Sequence, residues 1–194
     1  CIGSCTNSSY IDMIKTAKIL KGKTVDENTS LVISPGSKQV FNMIAANGAL
    51  ADMIEAGARI MECACGPCIG MGQSPKSNAV SLRTFNRNFF GRSGTRSANV
   101  YLVSPEVAAV SAINGYLTDP TQAGIDLKEI TSIRQPEKFY INDNLIITPA
   151  KDGEQVEVVR GPNIKAFPLN EALRETVTGN VLLKMEDNIT TDHI

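Results

Sequence analysis

The feature of this sequence that most constrains its fold is an alternation of short apolar runs with amphipathic helical segments. Residues 30–34 (SLVIS), 59–63 (RIMEC) and 99–103 (NVYLV) are short and apolar, as buried strands are. Strands that alternate with helices predict a parallel sheet with helical crossovers. We therefore expect an α/β fold, a three-layer domain in which a parallel sheet is flanked by helices, followed by an irregular linker.

The helical segments carry start and stop signals. Ser9 to Leu20 has apolar residues at helical spacing, with polar capping residues before it and Gly22 after it. Further helices are predicted from Ser37 to Gly48, from Leu50 to Ala56, and from Ser104 to about Gly115. In the last of these, the serine is a cap and the proline that follows it suits the first turn.

The character of the sequence changes near residue 118. We expect an α/β domain over residues 1–118, the end of that domain and a linker rich in glycine, proline and charge over 119–179, and the start of another domain over 180–194. The run Val181 to Met185 (VLLKM) is predicted to be the first strand of that incomplete domain. Dense motifs at both ends of the chain lead us to expect a segment of a larger protein.

Composition excludes several classes of protein. The 42% of apolar residues argues against disorder, and the net charge of −1 gives no basic surface for nucleic acid or an anionic membrane. No apolar run approaches the ~20 residues of a membrane-spanning helix. The single histidine, His193, argues against a Ser-His-Asp triad or a multi-histidine zinc site.

Five cysteines form the most chemically informative pattern. Cys65-Gly66-Pro67-Cys68 is a C-x-x-C unit that follows a predicted strand end, where ligands of parallel sheets collect. An odd number of cysteines is a poor disulfide framework, so we expect a reducing, cytoplasmic setting. Three interpretations remain open: a metal or iron–sulfur site, a thioredoxin-like redox pair, and buried structural cysteine. For a metal site, Cys5, Cys65 and Cys68 are the easiest ligand set, because Cys63 lies on the preceding strand.

An arginine-rich stretch, Thr84 to Arg96, follows in the sequence. It contains three arginines, two asparagines and two glycines. Because the arginine fork binds carboxylates in bidentate fashion, Arg87 and Arg92 would suit a di- or tricarboxylate beside a metal site. A phosphate ligand, or a solvated basic loop without a ligand, would produce the same composition.

These motifs together resemble the aconitase/isopropylmalate dehydratase family. The matching segments, in order, are GSCTNSS at 3–9, CGPCIG at 65–70, NRNFFGR at 86–92, SPE at 104–106, GPNIK at 161–165 and TTDHI at 190–194. The resemblance implies that Cys5, Cys65 and Cys68 bind a [4Fe-4S] cluster. It also implies that Asn86 lies beside the cluster, that Arg87 and Arg92 bind substrate carboxylates, and that Asp192 is an active-site carboxylate.

The implied function is that of a hydro-lyase. We expect a fragment of an aconitate hydratase, which interconverts citrate and isocitrate through cis-aconitate, with isopropylmalate or homoaconitate dehydratase as the alternative. The implied partners are a tricarboxylate substrate and the remaining domains of the parent protein, without which the chain is expected to be inactive. Non-catalytic alternatives are a zinc-binding module and an RNA-binding module, the latter only in a cluster-free state.

Overall fold

The computed structural model describes residues 1–86, 89–151 and 159–189, and these residues form two compact units, 1–146 and 147–194. The first unit contains all the helices and strands of the described residues. The strands are β1 (Ile2–Gly3), β2 (Val32–Ser34), β3 (Arg59–Ile60), β4 (Val80–Arg83) and β5 (Asn99–Leu102). The helices are α1 (Tyr10–Leu20), α2 (Lys38–Ala46), α3 (Ala49–Glu55), α4 (Pro105–Asn114) and α5 (Leu127–Thr131).

All strand pairs are parallel. One sheet has the order β1-β2-β3, with Ile2 opposite Ile33, and the other pairs β4 with β5. Backbone hydrogen bonds connect the two sheets: the amine of Cys1 donates to the carbonyl of Leu82 at 2.8 Å, and the amide of Thr84 donates to the carbonyl of Cys1 at 3.1 Å. The five strands therefore follow the spatial order 3-2-1-4-5. The expected α/β fold with parallel sheets flanked by helices is confirmed.

Helix caps explain where the helices begin. Ser9 caps α1 in a reciprocal capping box with Asp12, Ser37 caps α2, and Ser104 caps α4 with Pro105 in the first turn. Ser37 and Ser104 agree with the predicted starts of α2 and α4, whereas the cap of α1 is Ser9 and not one of the residues before it, which were the predicted caps. Each cap satisfies backbone N–H groups that the first helical turn leaves without a partner.

The core lies between the sheet and the helices that pack on it. Ile2 and Ile33 on the strands are fully buried together with Met13, Leu20 and Ile44 on the helices. Each such side chain contributes about 1.5–3 kcal/mol by leaving water. Helix α1 packs against both α3 and α4, and α4 contacts β1, so the segment after β1 is held firmly from several sides.

Residues 119–179 were expected to contain the end of the first domain and a linker. Helix α5 brings Ile130 into the core of the first unit, so this core extends beyond residue 118. The division at 118 and 179 stays a prediction. In the second unit, residues 147–151 and 159–189 contain no helix or strand.

The predicted strand at 181–185 is wrong. Val181 and Leu182 are 86% and 95% exposed, and no strand lies beside them within the part of the chain that the structure describes. A strand needs a hydrogen-bonded neighbour, so apolar composition alone is insufficient. None of the helices in the described residues has the length and apolar character needed to cross a membrane.

Candidate functional site

The first cysteine loop, residues 4–8, joins β1 to the cap of α1. Ser4 and Asn7 both have positive φ angles (69° and 56°), an uncommon conformation for residues other than glycine. Hydrogen bonds compensate for it: the Ser4 amide donates to the Ser34 carbonyl at 2.7 Å, and the Ser8 hydroxyl donates to the Ser4 carbonyl. This sharp turn leaves the Cys5 side chain exposed beyond the carboxyl end of β1.

The second cysteine loop, residues 61–73, follows β3. A single turn of 3-10 helix, Gly66–Ile69, has Pro67 at its start and ends at Gly70, whose φ is +83°. Cys65 immediately precedes this turn and is exposed, whereas Cys68 lies within it and is only 4% exposed. The proline and the terminal glycine therefore determine where the two thiols of the C-x-x-C unit lie.

The two cysteine loops meet in space. The hydroxyl of Ser4 donates to the Ala64 carbonyl at 3.3 Å, and the Cys65 thiol lies near enough to Cys5 to lower its pKa. The contact with Thr6, at 3.6 Å from the Cys5 sulfur, does most to lower the pKa of Cys5. Burial opposes this, and the Cys65 contact lowers the pKa further. Two cysteines that are 60 residues apart in sequence are thus neighbours.

The other cysteines have different surroundings. Cys63 is half-buried, and burial together with the nearby Glu62 carboxylate raises the pKa of its thiol. All five cysteines of the chain are free thiols. The raised pKa of Cys63 favours the neutral thiol over the thiolate that a metal requires, which agrees with its omission from the predicted ligand set.

The arginine loop, described over residues 84–86 and 89–96, begins directly after β4 and contacts both cysteine loops. The Asn7 side-chain amide donates to the Thr84 carbonyl at 2.7 Å, and the Gly3 amide donates to the Thr84 hydroxyl at 2.9 Å. Farther along, Nη2 of Arg92 lies 3.8 Å from the sulfur of Cys68. A predicted carboxylate-binding arginine and a predicted cluster ligand are therefore in contact.

Arg92 also retains a free hydrogen-bond donor. Its guanidinium lies over the ring of Phe89, 5.5 Å from the ring centre. Its Nε atom is buried and has no hydrogen-bond partner among the described residues. A buried N–H without a partner costs free energy, so an incoming acceptor such as a carboxylate oxygen would be stabilised there.

Of the remaining predicted site residues, the structure describes only Asn86. Asn86 follows β4 and is exposed. Arg87 and Asp192 lie outside the described residues, as does His193. The assigned roles of Cys5, Cys65, Cys68, Asn86, Arg87, Arg92 and Asp192 stay predictions.

The strand order explains why these loops come together. In the order 3-2-1-4-5 the strand order reverses between β1 and β4, and the loops after these two strands adjoin each other, joined by the hydrogen bond from Asn7 to the Thr84 carbonyl. Ligands of open parallel sheets bind at this reversal, beyond the carboxyl ends of the strands. Cys5 follows β1 and Asn86 follows β4, so both residues follow the two strands at this reversal.

The donor set fits a thiolate-ligated cluster in its chemistry. Among residues 1–86, 89–151 and 159–189, no three cysteine, histidine or carboxylate side chains are close enough to hold a single metal ion. An iron–sulfur cluster requires a different arrangement, because each thiolate binds a separate iron atom. Three free thiols on two adjoining loops, with Arg92 beside one of them, are compatible with that arrangement.

One residue of this region was missed by the sequence analysis. Arg83, the last residue of β4, is fully buried and donates hydrogen bonds to the second cysteine loop. An arginine between Leu82 and Phe85, inside an otherwise strand-like run, is the signal that could have drawn attention to it.

Comparisons with known proteins identify the family. A sequence model of the aconitase family, described as aconitate hydratase, matches residues 1–115. The 3-isopropylmalate dehydratase large subunit of Herpetosiphon aurantiacus is 43% identical over 120 residues, which are 61% of this chain and 28% of that protein. The methanogen homoaconitase large subunit of Methanocaldococcus jannaschii is 42% identical over 119 residues, with the same coverage. The chain thus spans less than a third of the length of these relatives.

Proposed function

Since this chain belongs to the aconitase family, we propose that it carries the cysteine site of a hydro-lyase that removes water from a hydroxy acid with several carboxylates. The relatives named above are an isopropylmalate dehydratase and a homoaconitase, and both are large subunits. Their names favour a substrate of the 3-isopropylmalate or homoaconitate type. The expectation of a citrate–isocitrate enzyme receives less support from them.

The observation that carries this proposal is the contact between Cys68 and Arg92. It joins a soft metal ligand to a cation that suits a carboxylate, at 3.8 Å, where the second cysteine loop meets the arginine loop. The buried Nε of Arg92, which has no partner among the described residues, supplies a donor for a ligand oxygen. If Cys68 were only a structural cysteine or part of a redox pair, the buried Nε–H of Arg92 near it would have no use.

The cofactor of this proposal is a [4Fe-4S] cluster held by Cys5, Cys65 and Cys68. When bound, it would supply Lewis acidity toward the substrate hydroxyl that leaves as water. The lowered pKa of Cys5 favours its thiolate, which is the form that binds iron. The half-buried Cys63, with its raised pKa, is left out of the ligand set.

The residues of this chain would bind and orient the substrate. Arg92 receives one carboxylate, with its free Nε–H and the face of Phe89 fixing the plane of the guanidinium. Asn86 offers an amide for a second oxygen, and Asn7 holds the backbone at Thr84 just before it. Arg87 and Asp192 are proposed to add a second cation and a carboxylate.

Other parts of the enzyme would complete the site. The matched relatives are named as large subunits, which supports a heteromeric enzyme with further subunits or domains. Citrate remains the second candidate substrate, because residues 116–194 continue beyond the matched segment toward the TTDHI motif of a fused protein. Activity of the chain alone is therefore an unsuitable readout.

Anaerobic reconstitution of the full chain with iron and sulfide tests the proposal. We expect a broad visible absorption band and close to four irons per chain, both lost in Cys65→Ser. The matched control is Cys63→Ser, two residues away, which should retain both. Uptake of zinc without iron or sulfide would favour a structural zinc module and contradict the proposal. Equal iron loss in both variants would show that Cys63 is also needed for the cluster, which contradicts the proposed ligand set.

The reconstituted chain also distinguishes the substrates. A carboxylate at Arg92 lies beside the cluster, so binding should perturb the visible spectrum. We expect 3-isopropylmalate to produce this change at lower concentration than citrate, and Arg92→Gln to weaken it. A stronger response to citrate would favour the second candidate.

A further inference from the structure

Arg83 is the most deeply buried cation among the described residues. It lies at the end of β4, 1% exposed, and its guanidinium extends toward the second cysteine loop. Nη1 donates to the Pro67 carbonyl at 2.6 Å and Nη2 to the Gln73 carbonyl at 2.9 Å, while Nε donates to the Ser81 hydroxyl at 3.0 Å. The two arms of one guanidinium thus bind the two ends of the segment 67–73.

Burial of this charge requires an explanation. Among the described residues no carboxylate lies within ion-pair distance of Arg83, and a buried cation is costly unless it is paired and fully hydrogen-bonded. Its acceptors are neutral carbonyl and hydroxyl oxygens. Burial lowers the pKa of Arg83, and the negative charge of a Cys68 thiolate opposes this lowering. The Arg83 guanidinium therefore lies next to the loop that contains Cys68.

The geometry of segment 67–73 shows what the two hydrogen bonds hold in place. Cys68 follows Pro67 directly, and Gly70 packs so closely on the Ser93 carbonyl that a Cβ atom would overlap it. Ser93 is the neighbour of Arg92, which contacts the Cys68 sulfur. Fixing both ends of the segment consequently fixes the cysteine relative to the substrate arginine.

We propose that Arg83 is a positioning residue of the cysteine site, which holds Cys68 against Arg92 by binding the Pro67 and Gln73 carbonyls with the two arms of its guanidinium. The identity of Cys68 as a cluster ligand rests on the proposed function, whereas the positioning of Cys68 does not. Lysine cannot replace this residue, because a single ammonium is a point charge without the planar fork that reaches two fixed oxygens.

Arg59 provides a matched control. It lies on β3 and donates through Nη2 to the Gly72 carbonyl at 2.5 Å, so it binds the same loop one residue from the Arg83 contact. Unlike Arg83, its side chain makes these contacts on the exposed side of the loop. Water can replace its hydrogen bonds, so removal of Arg59 should leave the loop in place.

The test is site-resolved alkylation of the cluster-free, reduced full chain, quantified for each cysteine by mass spectrometry. Because Cys68 is buried in the intact loop, we expect Arg83→Met to raise its alkylation rate about tenfold, equivalent to about 1.4 kcal/mol of loop opening. Arg59→Met should leave that rate within about twofold of the parent chain. Cys5, Cys63 and Cys65 are internal references, and their rates should stay unchanged in both variants.

Two results would overturn the proposal. Unchanged Cys68 alkylation in Arg83→Met would mean that the loop does not depend on the guanidinium. An equal rise at all five cysteines would mean that Arg83 only supports the general stability of the fold. If Arg83→Met does not fold, as judged by circular dichroism, Arg83→Lys decides: Cys68 must still react faster than in the parent chain, and a parent-like rate contradicts the proposal.

Reconstitution separates this proposal from the proposed function. If the parent chain and Arg59→Met acquire the visible band while Arg83→Met acquires less iron or loses it faster, Arg83 acts on the cluster site as well. If the parent chain acquires no iron, the proposed function fails. The alkylation result then still decides whether Arg83 positions Cys68.

Discussion

Gly70 ends the helical turn that contains Cys68 and has no room for a side chain. Its φ is +83°, and a Cβ atom would overlap the carbonyl oxygen of Ser93. We expect Gly70→Ala to lower the free energy of unfolding by about 3 kcal/mol, from left-handed strain together with overpacking. Chemical denaturation measures this loss, and weaker iron uptake should accompany it because Arg92 adjoins Ser93.

Gly22 separates these two causes. It also has a positive φ, +65°, but no atom lies within 4 Å of the position of its Cβ. Gly22→Ala should therefore cost only about 1 kcal/mol, the strain of the left-handed conformation alone. Equal losses in the two variants would show that the close approach to Ser93 has no energetic weight.

The residue types of the sequence indicated the candidate site, but they did not indicate the residues that hold its loops in place. The spacing of Cys65 and Cys68 and the position of Cys5 before a helix are local signals, and the structure brings Cys5 and Cys65 together. Arg83 was missed because its role depends on a loop 10 to 16 residues earlier in the chain. Only the folded sheet brings such a residue beneath its target.

At the scale of elements, an ion pair links α1 to α4. Lys15 donates to Glu106 at 3.0 Å, and both side chains are about one-fifth exposed. Burial raises the pKa of the Glu106 carboxyl, but hydrogen bonds from its own backbone N–H, from Lys15 and from Ser104 outweigh burial and lower it. The ionised carboxylate is therefore favoured by folding.

The sign of the pH dependence follows. A lowered folded pKa gives stability that is present above the unfolded pKa of about 4.3 and is lost as the pH falls through the folded value. Glu106→Gln should cost up to about 1 kcal/mol at neutral pH, and the difference from the parent chain should shrink in acid. Urea denaturation across this range measures it. A difference that stays constant with pH would contradict the ion pair as its source.

Helices and strands with a signal in their own sequence were predicted. Strands that depend on distant neighbours were missed or wrongly predicted. The starts of α1, α2 and α4 follow from serine caps, whose hydrogen bonds involve residues only three positions away. The two-residue β1 has no pattern of its own, and Arg83 interrupts the apolar run of β4. A strand depends on its neighbours, which is also why the apolar run at 181–185 was predicted wrongly.

At the scale of the whole first unit, the position of the site depends on β1 lying between β2 and β4. The sequence predicted a parallel sheet but not this order, because neither β1 nor β4 was recognised as a strand. The reversal of the strand order between them places the cysteine and arginine loops next to each other, beyond the carboxyl ends of these strands.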